Sequence, residues 1–239
     1  MTRWAVITVA LYVVLLVVFT IPLILTAMLD PGVFDTGAHG EAEELLEVYR
    51  SWIYWAVIAV VGAAQALFLV VPVRARQNLV LKKRHFAYTI LAAALFMGIL
   101  FAGAMMALIA AFFGDREPEG YGWWLLGTGL AAWAFWFVVF GRFAGMRENP
   151  SDWMQRVTSY VYRGSIAELI VAVASHIIVR RRGDCSAPEC TAIGIFMGLA
   201  VMLLSFGPGV FYLFAARRER MLSKKERRAA GEKPPGGKA

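Results

Sequence analysis

Six long apolar runs take up most of this chain, and its Lys and Arg residues are concentrated in every second gap between them. The runs are Trp4–Met28, Trp52–Val73, Phe86–Phe113, Tyr121–Phe140, Ile166–Val179 and Thr191–Ala216. A helix needs about 20 apolar residues to cross the hydrocarbon core of a bilayer. Five of the six runs meet that length, and the fifth in order reaches it only if Val157–Tyr162 is added. In lipid every backbone N–H and C=O must be satisfied within the protein, which leaves helices or a closed barrel. A barrel would show alternating segments of about 10 residues. The continuous runs therefore predict an all-α membrane protein, a bundle of six transmembrane helices near 4–28, 52–73, 86–113, 121–140, 160–179 and 191–216.

Composition agrees. The chain is 59% hydrophobic and 17% charged over 239 residues, less charge than a soluble domain carries. The predicted helices use residues 1–216 and leave no room for a separate soluble domain.

Charge predicts the orientation. Nineteen Lys and Arg fall before the first run, within 74–85 and 141–165, and from Arg217 onward, while five (Arg50, Arg116, Arg180, Arg181 and Arg182) fall in the other gaps. The positive-inside rule then places both termini in the cytoplasm. The first two outer gaps are acidic, from Asp30 to Glu47 and from Asp115 to Glu119. The net charge of +7 thus reads as a membrane-orientation signal, with no nucleic-acid partner implied. The basic segment 217–239 is expected to be a disordered cytoplasmic tail suited to anionic lipid headgroups.

The first run is too long for the apolar part of a signal peptide and is expected to be a retained helix. No Asn-x-Ser/Thr acceptor occurs, since Asn149 precedes Pro150, which is compatible with a bacterial inner membrane.

Local signals refine the picture. Thr20 and Pro22 suggest a kink in the first helix, which should end at Asp30-Pro31-Gly32, and Glu41–Arg50 reads as an outward extension of the second. Ala94, Gly98 and Ala102, Gly127 and Ala131, and Gly194 with Gly198 are small residues at spacings that let helix backbones approach closely. Trp4, Trp52, Trp55, Trp123 and Trp124 sit near run ends, as interfacial anchors do. Ser151 reads as the N-cap of an amphipathic surface helix carrying Trp153, Val157, Tyr160 and Val161 on one face. No internal repeat is visible.

The fifth helix carries the chemistry. Glu168, Ala172, His176 and Arg180 recur at intervals of four and form one slowly turning intramembrane stripe. Glu168 is the one acidic residue well inside an apolar run. At that depth a carboxylate must be paired, protonated or facing water. A structural lock to an arginine such as Arg163 is the favoured expectation, with a proton-handling or ligand site as the alternative. His176 is a candidate cofactor ligand through a ring nitrogen. His85, at the inner end of the third helix, lies across the bilayer from it, while His39 shares its side.

Cys185 and Cys190 fall in the outer gap after the fifth helix and are expected to form a structural disulfide. Their spacing is wider than the usual CxxC of redox or zinc sites. Arg180, Arg181 and Arg182 run against the charge rule, which suits pairing with the acidic outer loops or an anionic headgroup. Gly207-Pro208-Gly209 predicts a helix break that can form a kink, a hinge or the wall of a site. No P-loop, nucleophile elbow, HExxH or dinucleotide fingerprint is present. No catalytic residue, resident metal or particular cofactor is indicated.

Three function classes follow. A non-enzymatic subunit or assembly partner of a membrane complex is the leading expectation. A small proton-coupled transporter using Glu168 comes second, and a membrane redox or cofactor protein using His176, Cys185 and Cys190 third.

Overall fold

The computed structural model describes residues 2–28, 52–76, 81–114, 120–145, 149–183, 187–214, 216–217 and 221. Among them the chain is nearly all helical, with no strand. The helices are α1 (Thr2–Met28), α2 (Trp52–Phe68), α3 (Val70–Arg76), α4 (Lys83–Phe113), α5 (Tyr121–Gly145), α6 (Pro150–Arg182) and α7 (Ala187–Ser205). A further helical turn pair follows α7 at 207–214.

Among the described residues five segments are long and apolar enough to cross a membrane: Tyr54–Ala75, Lys83–Phe113, Gly122–Ala144, Pro150–Arg182 and Cys190–Phe214. In α1 the described apolar stretch is the shorter Ala5–Val18. The helix continues through Pro22 to Met28. The acidic segment 30–47 with its Glu41–Arg50 stretch, Cys185, and most of the basic tail lie outside the described residues.

Helix α4 is central and packs against α2, α5, α6 and α7, while α6 and α7 pack along each other. The core joins Phe68 and Val71 to Phe96 and Leu100, then to Val157, Val161, Val201 and Leu204. Small residues make this closeness possible: Ala92, Ala93 and Ala94 are all buried on α4. Helix α5 differs. It meets α4 where a Cβ on Gly98 would stand 3.3 Å from the Gly129 carbonyl and 3.2 Å from Trp133 Cβ. Most of its remaining surface is open.

The expected separate surface helix before the fifth span is not formed. Residues 150–182 are one continuous helix. At 1.5 Å per residue it is about 50 Å long, so one end projects past a hydrocarbon core of about 30 Å. Its amphipathic face is a core face: Trp153, Met154, Val157 and Val161 are buried and lead directly into Ser165 and Glu168. An aromatic group of Trp136, Phe140, Phe143 and Tyr160 fastens that end to α5, with Phe143 and Tyr160 stacked at 5.6 Å. The cap is Asn149, not Ser151, and Pro150 occupies the first helical position, where its missing N–H is not needed. The helix stops at Gly183, whose φ of 72° is left-handed and suits glycine.

Two spans are interrupted. Leu69 separates α2 from α3, and Phe206 separates α7 from 207–214. Each break precedes a proline by two or three residues, Pro72 and Pro208. A proline removes one helical donor and its ring crowds the carbonyl four residues back. The chain reorganises accordingly: Phe206 N–H donates to the Leu203 carbonyl at 3.1 Å, one residue tighter than an α-helix.

Candidate functional site: a buried carboxyl and a buried amide seated on glycines

The inward face of α6 reads Val161, Ser165, Glu168, Ala172, Ser175 and Val179, all buried. Steps of three and four keep to one side of a helix, whereas steps of four alone drift by about 40° each. That drift carries Arg180 about 120° away from Glu168. Accordingly His176 is half-buried and Arg180 exposed, and the buried polar line runs through Ser165, Glu168 and Ser175.

Glu168 is 3% exposed, and neither carboxyl oxygen has a hydrogen-bond partner among the described residues. The expected arginine lock is therefore not formed. Arg163 is exposed, and its five-residue offset turns it about 140° round the helix from Glu168.

Glycines on two neighbouring helices seat the carboxyl. A Cβ on Gly103 of α4 would stand 3.0 Å from Glu168 Oε1. A Cβ on Gly198 of α7 would overlap Oε2 and crowd Leu169 Cδ2 at 2.9 Å. One turn earlier, Gly194 lies against the Gly103 carbonyl, where a Cβ would be 3.0 Å away. The Gly194-x-x-x-Gly198 pair thus brings α7 onto α4 with one glycine and accommodates Glu168 with the other.

A second buried polar side chain sits further along α7. Gln65 of α2 is fully buried, and both its amide oxygen and nitrogen lack partners among the described residues. It rests on Gly207, where any Cβ would overlap the amide nitrogen. The break at Phe206 therefore stands beside Gln65. Three other buried polar atoms, Trp133 Nε1, Trp153 Nε1 and Thr158 Oγ1, are also unpaired, each a single weakly demanding group.

The two described histidines, His85 and His176, are engaged. His85 Nδ1 accepts from the Lys82 N–H at 2.9 Å, which caps the start of α4. His176 Nδ1 is 2.7 Å from Thr191 Oγ1. The Thr191 hydroxyl also lies 2.9 Å from the Pro188 carbonyl. Arg182 donates to the Ala110 carbonyl at 3.1 Å, near the end of α4. Cys190 is half-buried and packs at the Ala110, Val179 and Ala187 contact. Because Cys185 is outside the described residues, nothing in the structure supports the expected disulfide. Among the described residues no group of three or more His, Cys, Asp or Glu is placed to hold a metal ion.

Sequence reasoning singled out Glu168 but not Gln65, Gly103, Ser165 or Ser175. Gln65 carried a usable signal, as a polar residue in the middle of an apolar run. Comparison with known proteins finds no family model, curated protein or solved structure that matches the chain.

Proposed function

We propose that this multi-pass membrane protein is a small proton-coupled carrier in which Glu168 is the group that takes up and releases the coupling proton. The observation that supports the reading is the glycine-seated carboxyl, buried at mid-helix with no hydrogen-bond partner among the described residues. A bare carboxylate there would cost on the order of several kcal/mol. A purely structural carboxyl would be expected to have acquired a donor. One left unpaired in a fitted seat suits a group whose charge is satisfied by a proton in one state and by water or substrate in another. The breaks at Leu69 and Phe206 supply hinges of the kind that let a helix end move.

The test uses proteoliposomes loaded with a pH-sensitive dye and challenged with gradients of a panel of small ions and metabolites. Wild type should acidify or alkalinise the lumen with one of them. Glu168→Gln should abolish that response while keeping its melting temperature, because no buried arginine is left unpaired. An intact response in Glu168→Gln would overturn the assignment.

The orientation proposed with this reading has both termini in the cytoplasm, in a bacterial inner membrane, from the charge asymmetry of the gaps. A periplasmic reading from a reporter fused after Ala239 would reverse it.

A subunit of a larger membrane complex is the second reading, and α5 is what favours it. Trp123, Trp124, Leu126, Leu130, Phe135 and Val138 are all more than half exposed. The outer end of that face has a shallow recess lined by Trp123, Trp124, Gly127, Thr128 and Ala131. Co-purification of a stoichiometric partner from mild detergent would support this reading.

A further inference from the structure

We propose that Gln65 and the two proline breaks beside it form a binding site for a small hard monovalent cation, separate from the Glu168 carboxyl. Gln65 is fully buried, with its amide oxygen and nitrogen both unpartnered among the described residues. A buried amide without partners is costly, so a ligand that satisfies it gains what the fold has left unsatisfied. The two helix interruptions provide the complementary chemistry. Pro72 has no N–H for the Phe68 carbonyl, and Pro208 has none for the Leu204 carbonyl. Both carbonyls therefore lose the donor that a regular helix supplies. Phe68 is about one turn beyond Gln65 on its own helix. Leu204 is about one turn before Gly207, on which the Gln65 amide rests.

The donor set proposed is three neutral oxygens without charge: the carbonyls of Phe68 and Leu204 and the amide oxygen of Gln65, whose nitrogen is the atom that rests on Gly207. Such a set suits a weakly charged cation that sheds its water for carbonyl oxygens. Unwound backbone within a membrane is tolerated where it is buried in protein or lines a site, and freed carbonyls at broken helices serve as cation ligands in carriers. A divalent ion would ask for carboxylates. The buried carboxyl of Glu168 is seated on Gly198 of α7, nine residues and therefore about 13 Å of helix rise from Gly207. Sodium is the appropriate probe.

The site does not depend on Glu168 carrying a proton, and the experiment separates the two. The full chain, purified in detergent, is melted at constant ionic strength with choline replaced stepwise by sodium, lithium or potassium. Sodium should raise the melting temperature with a saturable dependence, and Glu168→Gln should keep that rise. Gln65→Leu removes the amide oxygen and should abolish it. If Gln65→Leu fails to fold, Gln65→Glu places a charged oxygen in the site and should lower the half-saturating sodium concentration by about tenfold or more, because ligand charge tunes cation affinity. Equal melting in choline and all three alkali cations would overturn the proposal. So would a sodium response that survives Gln65→Leu, or an unchanged half-saturation in Gln65→Glu.

Discussion

Helices α5 and α6 make opposite use of the bilayer. Helix α5 is rich in Trp, Phe and Leu, yet among its described side chains only Phe140 is fully buried. Helix α6 carries seven Asp, Glu and Arg side chains from Asp152 to Arg182, yet it lies along α7 and α4 and buries Ser165, Glu168 and Ser175. In water the more apolar helix would occupy the core. In lipid the tails are as apolar as leucine, so large hydrophobic side chains gain little by turning inward. Association is driven instead by close backbone approach and by polar groups that hydrocarbon cannot satisfy. The closest helix contacts in the interior accordingly fall at Gly103, Gly194 and Gly198, where Glu168 is lodged, and at Gly207, where Gln65 rests.

The contrast breaks most sharply at the glycines. Gly198→Leu would drive a branched side chain into the Glu168 carboxyl and Leu169, and should cost about 3 kcal/mol or more, the upper range for overpacking. Little folded protein should elute as a monodisperse peak. Gly127→Leu on α5, where a Cβ would meet nothing within 4 Å, should change the melting free energy by less than about 0.5 kcal/mol. Similar losses at both sites would mean that α5 is packed against something in the folded unit.

A smaller effect separates two phenylalanines on the same helix. Phe140 is fully buried among Trp136, Phe143 and Tyr160, while Phe135 is 61% exposed. Phe140→Ala should lose about 2 kcal/mol of stability in a detergent melt, somewhat below the usual cost of emptying an aqueous core, because lipid solvates the unfolded helix. Phe135→Ala should lose less than about 0.5 kcal/mol. Equal costs would show that apolarity, not packing, holds α5 in place.

The difference between the two helices was only half legible in the sequence. Run length and charge placement are one-dimensional properties, so the membrane class and the spans near 52–73, 86–113 and 121–140 could be read directly. Which face of a span turns inward depends on its neighbours. Spacing of four from Glu168 pointed to His176 and Arg180, whereas the interior follows the 3.6-residue turn to Ser175 and Val179. The joining of 150–162 to the fifth span was hidden because amphipathic periodicity is the same whether the apolar face meets lipid or protein. Pro72 was hidden for another reason. It lies near the end of an apolar run, and its consequence becomes visible only when Gln65 is found against Gly207 on another helix.

The smallest expected effect tests the polar join between α6 and α7. His176 Nδ1 and Thr191 Oγ1 are 2.7 Å apart near one end of the pair. The Thr191 hydroxyl has the Pro188 carbonyl within reach at 2.9 Å whether or not the histidine is present. Removing the ring therefore leaves the Thr191 hydroxyl with an acceptor, and the cycle isolates the shared bond from the other contacts of the ring. Side-chain hydrogen bonds between membrane helices average about 0.6 kcal/mol in double-mutant cycles. A cycle of His176→Phe, Thr191→Val and the double variant should accordingly give a coupling of about 0.6 kcal/mol, well below the cost at Gly198. The pair should also behave as a structural contact. His176→Phe should leave the visible absorption spectrum of the purified protein unchanged. Loss of a visible band in that variant would make His176 a cofactor ligand through Nε2. A coupling near zero would mean that the glycine and alanine contacts hold the two helices together without it.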